Sequence, residues 1–485
     1  MKKKNHSKKK SPNKPKKASI GREYIFISYF FVAIFVAMIG YMVYFQFCRA
    51  NDFQNSVYNT RVNTAEEKVI RGPILAAGGE ALAETKVDKK GNETRYYPYG
   101  RVFSHVVGYT SQGKTGLESS ENFSLLNSNA FILEQVRNEF QDAKNMGDSV
   151  VTTLDVNLQK AAYEALGNND GAIVALEPKT GKILAMVSKP DYDPNTLDED
   201  WEDMISDDSN SNLVNRATSG LYPPGSIFKI VTALAYVRQY GSTDSFNFKC
   251  DGALTSNNFT LHCYDGAKHG KEDFTDIFAN SCNTAFASIG MSLKKSVFSE
   301  TAESLLFNRE LPLSLGYQKS RFTLDKNSGN PLTMQTSIGQ GDTLVTPIHM
   351  AMITAAIANN GVLMKPYLVD HVENNSGDQV LAYDKEAYGM LLDQDEAGLL
   401  QELMEAVVDH GTAKSLKNGK YDVAGKTGTA DYRDEDGNPH SWFVGYSGGA
   451  DPKLAIAVIV ESSGSGGKVA VPAAKEVFDA FYKNK

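Results

Sequence analysis

The chain has 485 residues, of which 41% are hydrophobic and 22% are charged, and its formal net charge is −8. This composition is that of a folded globular protein and excludes the fibrous and intrinsically disordered classes. Because one hydrophobic core rarely serves a chain of this length, we expect at least two folded units.

Positive charge is concentrated at the N-terminus. Nine lysines and Arg22 against Glu23 give residues 1–23 a net charge of +9, so the remainder carries −17. Residues 24–47 contain no charged side chain, and as a helix they would span roughly 36 Å, enough to cross a bilayer core of about 30 Å. We predict a basic cytoplasmic tail over 1–23 and a transmembrane anchor over 24–47, with the rest outside the cytoplasm.

A cleaved signal peptide is the alternative for this segment, but it would have a shorter apolar region followed by small residues at a cleavage site. The stretch after Phe45 offers no such site. A basic tail beside a membrane anchor also removes the main reason to expect nucleic acid as a partner.

An extracytoplasmic location gives little access to nucleotides and permits disulfides. Cys250 and Cys263 share one polar stretch, and the spacing leaves open whether they form a bridge or remain free thiols. Cys282 is interpreted as a small buried residue. The sequence has no Gly-rich phosphate loop, HExxH or paired CxxC motif, so we predict no cofactor and no metal.

After the anchor, residues 48–149 form a mixed segment with strand-like runs and several glycines, which we interpret as a pedestal or dimerisation-like domain. From Val150 onward the pattern predicts a strand, an N-capping Asp155 and an amphipathic helix. Two apolar runs within 171–188 are separated by Pro-Lys-Thr-Gly-Lys, which is typical of a hairpin.

Three further strands and a closing helix are predicted near the C-terminus. The strands lie in YDVAGKTGTA, HSWFVGYS and LAIAVIVES, and the helix is AAKEVFDAFYK. Helices in the middle of the chain and a sheet assembled from both ends indicate an α/β, or α+β layered, domain over residues 150–485.

The first chemical motif is Ser226 followed by Lys229. Pro223, Pro224 and Gly225 break the chain before it, and an apolar helical pattern follows, so Ser226 is predicted at a helix N-terminus. Lys229 would lie one turn further on the same face and could act as a base if burial lowered its pKa. Ser-x-x-Lys also occurs elsewhere, and a helix-capping serine with a solvated lysine is the structural alternative.

Two later motifs support a catalytic interpretation of the first motif. Ser281 and Asn283 could place a hydroxyl and an amide in one cleft. Lys426, Thr427, Gly428 and Thr429 are predicted on an edge strand, where they could bind a carboxylate and offer N–H groups to an oxyanion.

The ordered segments SIFK, SCN and KTGT resemble the three signature motifs of penicillin-binding proteins and serine β-lactamases. Residues 71–83, 339–361 and 440–447 are similar to segments of class B penicillin-binding proteins, so the resemblance covers most of the chain after the anchor. It implies a transpeptidase domain with an antiparallel sheet flanked by helices.

The resemblance also implies roles for the motif residues. Ser226 would be the acylated nucleophile, Lys229 its general base, and Ser281 with Asn283 would support proton transfer and substrate placement. Lys426 and Thr427 would bind the substrate carboxylate, and backbone N–H groups of Ser226 and Thr429 would form the oxyanion hole.

By the same resemblance, the expected activity is D,D-transpeptidation of peptidoglycan stem peptides ending in D-Ala-D-Ala, with covalent inhibition by penicillin and other β-lactams. The expected partner is a SEDS-type glycan polymerase. The alternatives are a D,D-carboxypeptidase or β-lactamase using the same chemistry, a β-lactam sensor, and an idle scaffold for wall assembly. A sensor would need an intracellular signalling part larger than 23 residues, and an idle scaffold would be expected to lack a motif residue.

Overall fold

The computed structural model describes residues 21–48, 68–141, 143–206, 211–431 and 437–483. The predicted basic tail lies largely outside these residues. Helix α1 (Arg22–Cys48) contains the predicted anchor, and its stretch Tyr24–Gln46 has a mean hydropathy of 2.3. The helix is long and apolar enough to cross a membrane, and most of its described apolar side chains are exposed, as lipid contact requires.

The second unit contains all the described strands, which are β1 (Val69–Ile70), β2 (Ile74–Leu75), β3 (Ala81–Val87), β4 (Glu93–Tyr96), β5 (Asn145–Met146), β6 (Ser149–Thr152), β7 (Gly171–Leu176), β8 (Ile183–Lys189), β9 (Phe248–Cys250), β10 (Ala253–Ser256), β11 (Phe259–His262), β12 (Gly270–Glu272), β13 (Val362–Met364), β14 (Val369–Glu373), β15 (Gln379–Ala382), β16 (Ala387–Met390), β17 (Val423–Ala430), β18 (His440–Ser447) and β19 (Leu454–Val460). Its α-helices are α2 (Ser104–Val107), α3 (Gly116–Ser120), α4 (Asn122–Leu125), α5 (Ile132–Phe140), α6 (Val156–Leu166), α7 (Leu197–Ser206), α8 (Arg216–Ser219), α9 (Lys229–Tyr240), α10 (Phe274–Ala279), α11 (Asn283–Ser292), α12 (Lys295–Ser304), α13 (Asn330–Ser337), α14 (Pro347–Ala358), α15 (Gln394–Asp409) and α16 (Ala470–Lys483).

The main sheet is five-stranded and antiparallel, in the order β17-β18-β19-β7-β8. It joins the predicted hairpin to the three predicted C-terminal strands, so the expectation of a sheet assembled from both ends of the domain is confirmed. Strand β17, which carries the third motif, lies at one edge. Among the described residues, one side of that strand therefore has no neighbouring strand.

Helices cover the main sheet and close the core. Helices α6 and α16 pack against each other and against the sheet, and α14 also packs on β7, β18 and β19. Every residue of α14 is buried, which agrees with a sequence that is apolar apart from His349 and Thr354. Asp155 caps α6 as predicted, because its side chain accepts a hydrogen bond from the Leu158 N–H.

A second, six-stranded sheet has the order β15-β14-β6-β2-β3-β4. Strands β2 and β6 pair in parallel, with Ile74 opposite Val150, and β14 pairs with β6 in the antiparallel sense. The sheet therefore contains β2, β3 and β4 from before position 149 and β6, which begins at that position. Its other two strands, β14 and β15, come from more than two hundred residues later in the chain.

A buried ion cluster stabilises the region around β3 and β4. Glu118 is fully buried, with Oε2 2.6 Å from Arg71 Nε and Oε1 2.7 Å from Arg95 Nε. Arg71 also donates to Asn122, and Arg95 to the carbonyl of Gly72. Although burial raises the pKa of a carboxyl group, the two guanidinium groups hold the pKa of Glu118 below its ordinary value.

Candidate active site

The first motif lies at the start of a helix, as predicted. Residues Gly225–Phe228 form a short 3₁₀ turn that runs directly into α9, and Ser226 is its second residue. Gly225 has a φ of +55°, and its N–H donates to the carbonyl of Gly339 at 2.9 Å. A Cβ at Gly225 would lie 2.5 Å from the carbonyl oxygen of Thr429, so glycine is needed to bring this turn against β17.

Lys229 is fully buried, and its amine points to the second motif. Nζ lies 2.7 Å from the carbonyl oxygen of Ser281, 2.7 Å from Asn283 Oδ1 and 3.0 Å from Ser281 Oγ. Burial lowers the pKa of Lys229 to about 7, although the nearby Cys282 and Cys263 act in the opposite direction. A lysine with this pKa is partly neutral at physiological pH and can accept a proton.

Ser281 occupies the turn between α10 and α11, and Asn283 is the first residue of α11. Ser281 has a φ of +58°, which is unusual for a residue with a side chain. Its N–H donates to the carbonyl of Phe278, and the N–H of Cys282 donates to the carbonyl of Ile277. These bonds hold the turn in a strained conformation that presents the Ser281 hydroxyl to both lysines.

Lys426 approaches the same hydroxyl from β17. Its Nζ lies 2.9 Å from Ser281 Oγ and 3.2 Å from the carbonyl oxygen of Thr427. Burial, and then the charge of Lys229, lower the pKa of Lys426 well below its ordinary value. An anionic group bound nearby would restore the charged form, because it offsets both causes.

Six of the eight predicted site residues line one cavity of about 1110 Å³, namely Ser226, Ser281, Asn283, Thr427, Gly428 and Thr429. The other two predicted residues, Lys229 and Lys426, are fully buried. Their amines contact the hydroxyl of Ser281, which lines the cavity. A Cβ at Gly428 would lie 3.0 Å from the carbonyl oxygen of Pro224, so this glycine lets β17 and the Ser226 turn form adjoining walls. The volume exceeds that of most small-molecule sites and suits an extended ligand.

Several residues of the cavity were not predicted from the motifs, among them Asn280, Thr412 and Asp431. Thr412 is the clearest case, because its Oγ1 lies 2.6 Å from Thr427 Oγ1 and can orient that hydroxyl. It lies in a His-Gly-Thr-Ala loop that follows α15, and its type alone offered no signal.

The sequence left open whether Cys250 and Cys263 form a disulfide, and in the structure they do not. Cys250, Cys263 and Cys282 are all free and buried, and the Sγ atoms of Cys250 and Cys263 are 3.6 Å apart. Cys282 is buried as expected, but its Sγ also lies 3.8 Å from that of Cys263.

Comparisons with known proteins agree with this geometry. The family described as "Penicillin binding protein transpeptidase domain" matches residues 171–479, and "Penicillin binding protein A dimerisation domain" matches residues 71–150. The peptidoglycan D,D-transpeptidase PbpA of Mycolicibacterium smegmatis is 33% identical over 443 residues, covering 85% of this chain and 89% of the relative. Stage V sporulation protein D of Bacillus subtilis is 28% identical over 460 residues, covering 85% and 70%.

Solved structures show the same fold. Penicillin-binding protein A from M. tuberculosis, in its penicillin G acyl-enzyme complex, has a TM-score of 0.77 and 30% identity, covering 86% of this chain and all of that one. A D,D-transpeptidase domain from Eggerthella lenta has a TM-score of 0.78 and 30% identity, covering 85% and 98%. The two domain matches, the 33% identical relative and the solved structures establish that the chain belongs to the class B penicillin-binding proteins.

Proposed function

We propose that the chain is a serine-type peptidoglycan D,D-transpeptidase that cross-links stem peptides through an acyl-enzyme on Ser226. The observation that carries the proposal is the shared cavity: the Ser226, Ser281 and Thr427 side chains face it, and two buried lysines meet at the Ser281 hydroxyl. Relatives that match most of the chain are named peptidoglycan D,D-transpeptidases, and one solved structure at 30% identity is a penicillin G acyl-enzyme complex.

In the first step, Ser226 Oγ attacks the carbonyl of the penultimate D-alanine and its proton passes to Lys229. Backbone N–H groups of Ser226 and Thr429 stabilise the oxyanion, and Lys426 with Thr427 binds the terminal carboxylate. The C–N bond then breaks, and the departing D-alanine amine takes a proton through the Ser281 hydroxyl.

In the second step, an amine of a neighbouring stem peptide attacks the Ser226 ester. The amine loses a proton to Lys229, the C–O bond to Ser226 breaks, and the serine oxygen recovers a proton. The product is a new peptide bond, so one D-alanine is released for each cross-link formed.

The setting follows from the N-terminal part of the chain. We propose that residues 1–23 are cytoplasmic, that 24–47 anchor the chain once in the membrane, and that the catalytic part lies outside. Residues 48–149 would form the pedestal and 150–485 the transpeptidase domain. A separate glycan polymerase of the SEDS type is the proposed partner, in contact with the anchor and pedestal.

Labelling with a fluorescent penicillin tests the catalytic assignment. Ser226→Ala should abolish covalent labelling of the full chain in detergent. Ser111→Ala is the matched control, because Ser111 and Lys114 share the bare Ser-x-x-Lys spacing but Ser111 is exposed and lies outside the cavity residues. Equal labelling of Ser226→Ala and the parent chain would refute the assignment.

A D-Ala-D-Ala stem peptide, given with and without an acceptor amine, tests the reaction class. A transpeptidase should form cross-linked product in proportion to acceptor while releasing D-alanine. Release of the free acid alone at every acceptor concentration would instead identify a hydrolase.

A further inference from the structure

Three cysteines and one histidine from separate elements meet beside the Ser281 turn. Cys250 ends β9, Cys263 follows β11, His269 directly precedes β12, and Cys282 caps α11. Their ligand atoms all lie within 4.8 Å of one another. The three cysteines are buried and unbridged, and His269 is half-buried.

The spacing of these atoms matches one coordination sphere. The Sγ atoms of Cys250 and Cys263 are 3.6 Å apart, those of Cys263 and Cys282 are 3.8 Å apart, and Cys250 Sγ is 3.4 Å from His269 Nδ1. Tetrahedral zinc, with Zn–S about 2.3 Å and Zn–N about 2.0–2.1 Å, places two sulfurs about 3.8 Å apart and sulfur and nitrogen about 3.5 Å apart. A disulfide would require about 2.05 Å between sulfurs.

We propose that Cys250, Cys263, His269 and Cys282 bind one zinc ion. Three thiolates and one imidazole in tetrahedral array are a ligand set that zinc prefers. Four protein ligands leave no open position, so the ion is structural and activates no water. Binding exchanges three thiol protons for one Zn²⁺, and those protons are released to solvent.

Thr284 supplies a hydroxyl beside all three sulfurs. Its Oγ1 lies 3.1 Å from Cys250 Sγ, 3.4 Å from Cys282 Sγ and 3.5 Å from Cys263 Sγ. A hydroxyl at this place can donate one hydrogen bond to a thiolate and hold it in the orientation that the metal requires.

The proposed zinc site connects the turn that carries Ser281, at the cavity, to the neighbouring β10–β11 hairpin. Cys282 lies between Ser281 and Asn283, and Asn283 Nδ2 donates to the carbonyl of His262 on the hairpin that carries Cys263. A metal bond at Cys282 would hold the positive φ of Ser281 in place. This positioning role rests on the proposed function, whereas the zinc site does not.

The zinc site cannot be recognised from the sequence, because twelve, five and twelve residues lie between its successive ligands and no paired CxxC motif is formed. The prediction of no metal followed from that missing pattern. The fold brings the four together by pairing Gly270 with Cys250 on neighbouring strands and by placing the hairpin against the start of α11.

Elemental analysis of the full chain, purified in detergent without chelator, tests the site directly. We expect about one zinc per chain, with X-ray absorption showing three sulfur neighbours at about 2.3 Å and one nitrogen at about 2.0–2.1 Å. Iron or copper in place of zinc would overturn the assignment. So would a zinc-free chain in which mass spectrometry finds Cys250 and Cys263 disulfide-bonded.

Ligand variants separate this site from adventitious binding. Cys263→Ser and His269→Ala should lose the zinc, while Cys48→Ser and His371→Ala, the controls of matching residue type, should keep it. Zinc retained by both ligand variants would refute the proposal. If these variants fail to fold, Thr284→Val keeps the test open, because chelator competition should show zinc affinity reduced about 10- to 100-fold.

The link to the cavity has its own readout. Zinc removal should slow penicillin acylation of Ser226 about 10- to 100-fold, and added zinc should restore the rate. An unchanged rate would refute the positioning role and leave the zinc site standing. A zinc-loaded chain that never labels at Ser226 would instead refute the proposed function.

Discussion

Lys229 and Lys426 share one hydroxyl: their amines lie 3.0 Å and 2.9 Å from Ser281 Oγ. A neutral Lys229 can donate its two N–H bonds to the Ser281 carbonyl and Asn283 Oδ1, each 2.7 Å away, which leaves its lone pair available to accept a proton. Ser281 Oγ can then accept from Lys426. This arrangement connects both amines through a single proton-carrying group.

Removing that group should slow catalysis without unfolding the chain. Ser281→Ala leaves both lysines in place but breaks their connection, so we expect the acylation rate with penicillin to fall about 10²- to 10⁴-fold. Stopped-flow measurement of covalent labelling provides the rate. A rate within a factor of three of the parent would exclude the hydroxyl from proton transfer.

Acylation should also depend on pH in a direction that Lys229 sets. Burial lowers the pKa of Lys229 to about 7, and only the neutral amine can accept the Ser226 proton. The acylation rate should therefore rise through about pH 7 and level off above it, falling about tenfold per unit well below that value.

The matched control is Lys229→Arg, whose guanidinium stays charged throughout this range. It should acylate slowly and without the step near pH 7. A parent rate that is flat or that falls as pH rises from 6 to 8 would rule out Lys229 as the base.

Local patterns predicted the elements on which the chemistry rests. Asp155 caps a helix, the 171–188 hairpin forms, and the strand carrying Lys426 lies at a sheet edge. Each depends on residues close in sequence, where periodicity and turn chemistry carry the information. The family resemblance added the expectation that Ser226 and Thr427 act on one substrate, and both residues line one cavity.

Contacts between distant segments were beyond such reasoning. The parallel pairing of Ile74 with Val150 and the 2.6 Å contact of Thr412 with Thr427 depend on topology rather than local pattern. The proposed zinc site was missed for the same reason, since its ligands Cys250 and Cys282 lie 32 positions apart without a familiar metal-binding spacing.

Glu118 should determine stability, although it does not line the cavity of the candidate active site. Glu118→Gln removes the charge that compensates Arg71 and Arg95 while they remain buried, so the free energy of unfolding should fall by about 3–5 kcal/mol. Denaturant unfolding measures the change. Glu84→Gln, which alters an exposed pair with Lys86 in the same sheet, should change the free energy of unfolding by less than about 0.5 kcal/mol. Equal changes in the two variants would refute the stabilising role of Glu118.

Gly225 should be required for the geometry of the cavity rather than for folding alone. Gly225→Ala places a Cβ 2.5 Å from the Thr429 carbonyl oxygen, which must push β17 away from Ser226. A displacement of about 1 Å at a reacting group costs about 10²-fold in rate, so acylation by penicillin should fall by at least that factor.

Gly241→Ala separates this clash from the cost of a positive φ. Gly241 has a φ of +79° at the end of α9, and a Cβ added there would have nothing within 4 Å. Alanine at this position should lower stability by about 1–2 kcal/mol and leave the acylation rate unchanged. If both variants acylate at the parent rate, the close approach of the Ser226 turn to β17 is not what aligns the nucleophile with the oxyanion-binding strand.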